Sequence, residues 1–178
     1  QDPLAGTCEG LTIEENLSLA IKRGQRRGLS AAVKARYQDQ FKSSLASLNL
    51  GLENRLGDKM GLLSGGQRQA VSLLMASLTP SAILLLDEHT AALDPKTASF
   101  VLDLTTQIIE EQKLTALMVT HSMKQALEVG DRTVMLHQGQ VVFDIAGQDR
   151  EGLEVKSLLE LFEKQRGLEV DDDSLLLG

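Results

Sequence analysis

"AILLLDEHTAALDP", residues 82–95, decides the fold. Ala82 to Leu86 are apolar without alternation, which reads as a strand buried on both faces. Two acids, Asp87 and Glu88, follow at once. Asp94 and Pro95 then supply an N-cap and a first helical residue. Ala98, Val101, Leu102, Thr105, Ile108 and Ile109 give the helix they open an apolar stripe. "TALMVTH" (115–121) reads as a second buried strand, closed by His121. "SMKQALEVGD" (122–131) is a short helix stopped by Gly130, and "TVMLHQGQVVFD" (133–144) is two strands about a Gln-Gly turn. The order strand, helix, strand, helix, strand predicts an α/β fold with a parallel sheet and right-handed crossovers.

In that arrangement Asp87, Glu88 and His121 stand at the carboxyl edge of the sheet, where open α/β folds bind ligands. One carboxylate there can hold Mg²⁺ while the next orients or deprotonates a water. An acidic pair that caps the following turn, with a packed or surface histidine, explains the same residues without chemistry.

Upstream the chain reads as helical. "LTIEENLSLAIKRG" (11–24) has a capping box, Thr12 with Glu15, and places Ile13, Leu17, Ala20 and Ile21 on one face before Gly24. A second helix is predicted from near Ser30 to Gly51, with Val33, Tyr37, Phe41, Leu45 and Leu48 facing a core. In "LLSGGQRQAVSLL" (62–74), Ser64, Gly65 and Gly66 stand directly before a face of Ala70, Val71, Leu74 and Leu78. Each glycine is less favourable than alanine in a helix by about 0.8–1.0 kcal/mol. A bare helix start lets an anion reach the N–H groups and the positive end of the dipole. A flexible turn with a Ser N-cap is the other reading.

The composition is that of an ordinary globular chain: 178 residues, 42 % hydrophobic, net charge −7. The acidic balance argues against general nucleic-acid binding. Cys8 is the one cysteine, so an internal disulfide is impossible and a reducing compartment fits. The uncharged run Gln69 to Leu86 contains Pro80 and reads as helix, turn and strand rather than a membrane span. Six basic residues (Lys22, Arg23, Arg26, Arg27, Lys34, Arg36) between Asn16 and Gln38 form either a solvated face or a surface for a membrane or acidic partner. "EVKSLLELFEKQ" (154–165) is an amphipathic helix, followed by an acidic tail at Asp171, Asp172 and Asp173.

Taken together, these motifs resemble the ATP-binding cassette family of P-loop NTPases. "LSGGQ", Leu63 to Gln67, matches its signature motif, and "AILLLDE", Ala82 to Glu88, its Walker B strand. "AALD", Ala91 to Asp94, looks like the D-loop, His121 like the switch histidine, and "QDPLAGT" like the Q-loop, with Gln1 its glutamine. The resemblance implies a RecA-like core with an inserted helical subdomain, and two copies closing head to tail over two ATP molecules. It implies that Ser64, Gly65, Gly66 and Gln67 serve the nucleotide held by the partner copy, with Asp94 acting across the interface. Asp87 and Gln1 would serve Mg²⁺, Glu88 the attacking water, and His121 the γ-phosphate of the chain's own ATP. The expected divisions are a Q-loop remnant (1–8), a helical subdomain (9–80), the C-terminal half of the ATPase core (81–150) and a C-terminal helix with an acidic tail (151–178).

The implied role is the ATPase subunit of a bacterial transporter, peripheral on the cytoplasmic face of the membrane. It would act on a membrane permease and, indirectly, an extracytoplasmic binding protein. A DNA-repair type of cassette would need a long coiled coil before the signature, and no sustained heptads occur there. His89 stands where the family usually has proline; "DEHTAALDP" with "LTIEENLSLA" resembles a bacterial uptake subgroup. No G-x-x-x-x-G-K-[ST] occurs in the 178 residues. The chain thus reads as the C-terminal two-thirds of such a subunit, inactive alone; a non-catalytic interaction module is the rival reading.

Overall fold

A computed structural model describes residues 6–24 and 35–166, with side chains to residue 160. The chain divides into two units at Met118/Val119.

The first unit opens with helix α1 (Ile13–Ala20), capped as its sequence predicts. Thr12 Oγ1 accepts from Glu15 N–H at 3.1 Å, and Glu15 Oε2 accepts from Thr12 N–H at 2.7 Å. Ile13, Leu17 and Ala20 are buried. The stripe also holds a residue that periodicity does not flag. Asn16 is fully buried, and its amide clamps the preceding loop. Oδ1 accepts from Cys8 N–H at 2.8 Å, while Nδ2 donates to the carbonyls of Cys8 at 3.1 Å and Thr12 at 2.9 Å. Three backbone groups are satisfied by one buried amide, as burial requires.

Helix α2 (Gln38–Ala46) follows a 3₁₀ turn over Ala35–Tyr37. Its expected start near Ser30 lies outside the described residues. Phe41, Leu45 and Leu48 are buried as expected, and Tyr37 stacks on Phe41 with ring centroids 6.0 Å apart. Helix α3 (Gly65–Ser77) buries Ala70, Val71, Leu73 and Leu74 against this group.

Strand β1 (Leu84–Asp87), helix α4 (Pro95–Gln112) and strand β2 (Ala116–Val119) form a β-α-β unit in which β1 and β2 pair as a parallel sheet. The expectation of strands buried on both faces is corrected here. Leu84 and Leu86 are buried, but Leu85 is 66 % exposed and Leu117 56 %. Only one face of this sheet is covered within its own unit. Helix α4 likewise turns a slightly different stripe inward: Val101, Leu104, Thr105 and Ile108 are buried, whereas Ala98, Leu102 and Ile109 are only half-buried.

The second unit holds helix α5 (Met123–Glu128), strands β3 (Arg132–His137) and β4 (Gln140–Ala146), and helix α6 (Val155–Arg166). The Gln138–Gly139 turn has φ of 48° and 78°, the left-handed pair that a tight hairpin demands. Arg132 and Asp144 form a two-pronged ion pair across the hairpin. Met123, Phe143 and Leu158 make a small separate core. A single three-stranded parallel sheet is also corrected. Among the described residues β3 pairs antiparallel with β4 and does not join β1 and β2.

Candidate functional site

The start of α3 is a closed capping box. Ser64 is extended (φ −63°, ψ 161°); its Oγ accepts from Gln67 N–H at 3.3 Å, and Gln67 Oε1 accepts from Ser64 N–H at 3.2 Å. The box answers two of the four N–H groups that a helix leaves without intrahelical partners, those of Ser64 and Gln67. Ser64 and Gly65 are exposed, while Gly66 is buried. Arg68, one turn in, pairs with Glu9 at 3.0 Å and reaches back to the Leu63 carbonyl at 3.4 Å, which fastens the residues ahead of the turn.

The start of α4 lies against the start of α3. Asp94 is the N-cap, its Oδ1 accepting from Thr97 N–H at 3.1 Å. The Thr97 hydroxyl first, and then the Thr97 N–H, hold the Asp94 carboxyl below the usual carboxylate range. A Cβ built on Gly66 would fall onto the Thr97 methyl, well inside contact distance, and one on Gly65 would stand 3.3 Å from Leu93 Cδ2. Gly66 has no left-handed backbone to accommodate. Close approach of α4 is thus a sufficient reason for glycine at position 66, and it is one that local sequence does not reveal.

Asp87, exposed, ends β1, and Glu88, half-buried, follows it. Glu88 has φ of 44°, a left-handed conformation uncommon for a residue with a Cβ and typical of places where function fixes the side chain. The next residue anchors this bend. His89 is 8 % exposed, and its Nε2 lies 3.0 Å from Thr105 Oγ1 on α4. Thr105 spends its one hydroxyl proton on the Val101 carbonyl at 2.7 Å, so the histidine must be the donor. Burial lowers the His89 pKa to about 4, so the ring is neutral at physiological pH.

His121, exposed, belongs to the second unit and stands just before Ser122, the N-cap of α5. The turn that carries it is closed by hydroxyls. Ser122 N–H donates to Thr120 Oγ1 at 3.0 Å, and Gln125 N–H donates to Ser122 Oγ at 3.3 Å. The far end of α5 is held by Arg150, whose guanidinium donates to the carbonyls of Leu127 at 2.6 Å and Val129 at 2.9 Å. Arg150, Thr97 and Asn16 were not singled out by sequence reasoning, because each acts through partners distant along the chain. Gln1 lies outside the described residues.

The donor chemistry suits Mg²⁺ with a phosphate. That ion is typically held by one or two carboxylates, with waters and phosphate oxygens completing its shell. Asp87 provides an exposed carboxylate, and among the described residues no cluster of three or more His, Cys, Asp or Glu forms an all-protein cage.

The ABC transporter family pattern matches residues 5–91. The tyrosine transport ATP-binding protein of Clostridioides difficile (strain R20291) is 47 % identical over 163 residues, 92 % of this chain and 64 % of that protein. This chain belongs to the ABC transporter ATP-binding family. The aliphatic sulfonates import ATP-binding protein SsuB of Escherichia coli (strain K12) is 32 % identical over 81 % of the chain and 58 % of its own length. Among solved structures, a metal-chelate type ABC transporter in an inward-facing conformation superposes with a TM-score of 0.68 at 25 % identity, over 86 % of this chain and 59 % of that one. A dimeric ATP-binding cassette bound to ADP and Pi in a post-hydrolysis state gives 0.61 at 29 % identity, over 79 % and 58 %. The fold is therefore that of the P-loop NTPase cassettes. The chain spans about three-fifths of the length of these relatives. No helix among the described residues is long and apolar enough to cross a membrane.

Proposed function

We propose that this chain is part of the ATP-hydrolysing subunit of a bacterial uptake transporter, working as a head-to-tail dimer on the cytoplasmic face of a membrane permease. The observation that carries the reading is the juxtaposed pair of helix starts. Ser64 and Gly65 are exposed at the first turn of α3, and Asp94 is exposed at the N-cap of α4 beside it. Such a surface offers N–H donors, a hydroxyl and the positive helix end to a phosphate. The Ser64–Gln67 turn would therefore address the γ-phosphate of ATP held by the second copy, and Asp94 would cross the interface.

On its own nucleotide, Asp87 with Gln1 would hold Mg²⁺, which screens phosphate charge when bound. Glu88 would orient or deprotonate the attacking water, and its left-handed backbone suits a carboxylate set at a fixed angle. His121 would stabilise the γ-phosphate. The G-x-x-x-x-G-K-[ST] motif that cradles the α- and β-phosphates does not occur in these 178 residues, so the proposed activity is that of the complete subunit.

The helical residues 9–80 would form the permease-facing subdomain, and an extracytoplasmic binding protein would deliver solute. The resemblance to the tyrosine transport protein makes an amino acid, with tyrosine the first to test, the proposed cargo. In the complete subunit, Glu88→Gln should still bind ATP and close the dimer, with turnover reduced at least 100-fold, the usual size of a general-base contribution. Turnover at the unmutated rate would refute the role of Glu88. Unimpaired uptake of labelled tyrosine by a strain lacking the gene would refute the cargo.

A further inference from the structure

The chain turns inward where β1 ends. Asp87 is exposed, Glu88 half-buried and His89 buried, so three successive residues pass from solvent to core. Glu88 makes that passage with its left-handed φ of 44°. A residue with a Cβ stays in this region only where its surroundings hold it there. Its backbone is restrained at the carbonyl and through the next residue. The Ala91 N–H donates to the Glu88 carbonyl at 3.0 Å, which closes a turn. The His89 imidazole donates from Nε2 to Thr105 Oγ1, also at 3.0 Å. Thr105 is fully buried on α4 and bonded in turn to the Val101 carbonyl, so the acceptor is fixed to a helix rather than to a loop. Glu88 thus lies between β1 and a moored residue, and its torsions have little room to change.

We propose that His89 is a positioning residue whose hydrogen bond to Thr105 fixes the left-handed bend that aims the Glu88 carboxylate at the attacking water. This rests on the reading of Glu88 above. An orienting role makes a demand that a merely packed histidine does not. The angle of the carboxylate matters to hydrolysis but not to holding the nucleotide, so kcat and KM must respond differently.

The complete subunit is prepared as His89→Ala, His89→Gln, Thr105→Val and Thr105→Ser, beside Glu88→Gln and Glu88→Gln with His89→Ala. Glutamine puts an amide N–H near the place of Nε2; serine keeps the acceptor on α4 and valine removes it. Single-turnover and steady-state hydrolysis are expressed per nucleotide bound, so loss of folded protein does not count. His89→Ala and Thr105→Val should lower kcat by about tenfold to a hundredfold, the effect of a slightly displaced reacting group, with KM for ATP unchanged. His89→Gln and Thr105→Ser should stay near the parent. Adding His89→Ala to Glu88→Gln should bring little further loss, because the carboxylate it positions is already gone.

An undiminished kcat in His89→Ala, or a loss by the same factor in the Glu88→Gln background, would overturn the positioning. If His89→Ala fails to fold, the Thr105 variants decide, and equal kcat values in Thr105→Ser and Thr105→Val would overturn it. Glu88→Gln turning over at the parent rate would refute the reading of Glu88 and the positioning with it; a slow Glu88→Gln beside an unimpaired His89→Ala overturns the positioning alone.

Discussion

His89 makes the stability of this chain depend on pH in a calculable way. In the unfolded chain its imidazole titrates near 6.5; in the fold burial lowers this to about 4. Below pH 6.5 the unfolded state therefore binds a proton that the folded state refuses, so stability falls with falling pH. The contribution is fully present above pH 6.5 and is lost progressively down to about pH 4, where the folded state also protonates. A difference of 2–3 pH units at about 1.36 kcal/mol each gives a loss of about 3 kcal/mol. The geometry agrees with the sign. Nε2–H is committed to Thr105, and a second ring proton would be a buried charge. The assay is urea denaturation in Mg²⁺-free buffer between pH 7.5 and 4.5, comparing the parent with His89→Gln, whose amide can donate to Thr105 but does not titrate. The difference in unfolding free energy between the two should change by about 1.4 kcal/mol per pH unit below pH 6. Parallel profiles would refute the burial and the assigned tautomer together.

Asn16→Ala should cost about 2–4 kcal/mol in chemical denaturation, because it strips partners from Cys8 N–H and C=O while leaving a small void; a loss under about 1 kcal/mol would mean that the loop does not need the clamp. Arg150→Met should free the last turn of α5, and hydrogen exchange at the amides of Ala126 to Val129 should accelerate by about tenfold or more while α1 is unaffected. Calorimetry of the 178-residue chain with Mg-ATP should show no micromolar binding, since its sequence has no G-x-x-x-x-G-K-[ST] to cradle the phosphates; a micromolar dissociation constant would refute the proposed division of the site.

The features legible in the sequence were those made by neighbours. The capping box at Thr12, the Asp94–Pro95 helix start and the Gln138–Gly139 hairpin depend on residues within four positions of each other, and each formed as read, while the helix start read at Ser64 closes as a capping box with Gln67. Burial of β1 and β2 was not legible in this way. Apolar residues in a strand report what the strand requires to be covered, not what covers it, and Leu85 and Leu117 stand exposed here. The bareness of Gly66 was read as a service to phosphate or as a flexible turn, because the Thr97 methyl that also demands it lies 31 residues along the chain. His89 was noticed as a departure from proline, but its hydrogen bond to Thr105, 16 residues on, required the fold.

The left-handed backbone of Glu88 sets two pressures on one codon. Glycine or asparagine would sit at that torsion with less strain, by something on the order of 1 kcal/mol. A screen that selects only for a sturdier fold would drift toward them and discard the carboxylate. Where glutamate persists against that drift, its presence records selection for what the side chain does. Deep mutational scans of this cassette, scored separately for abundance and for transport, should therefore disagree most sharply at this residue.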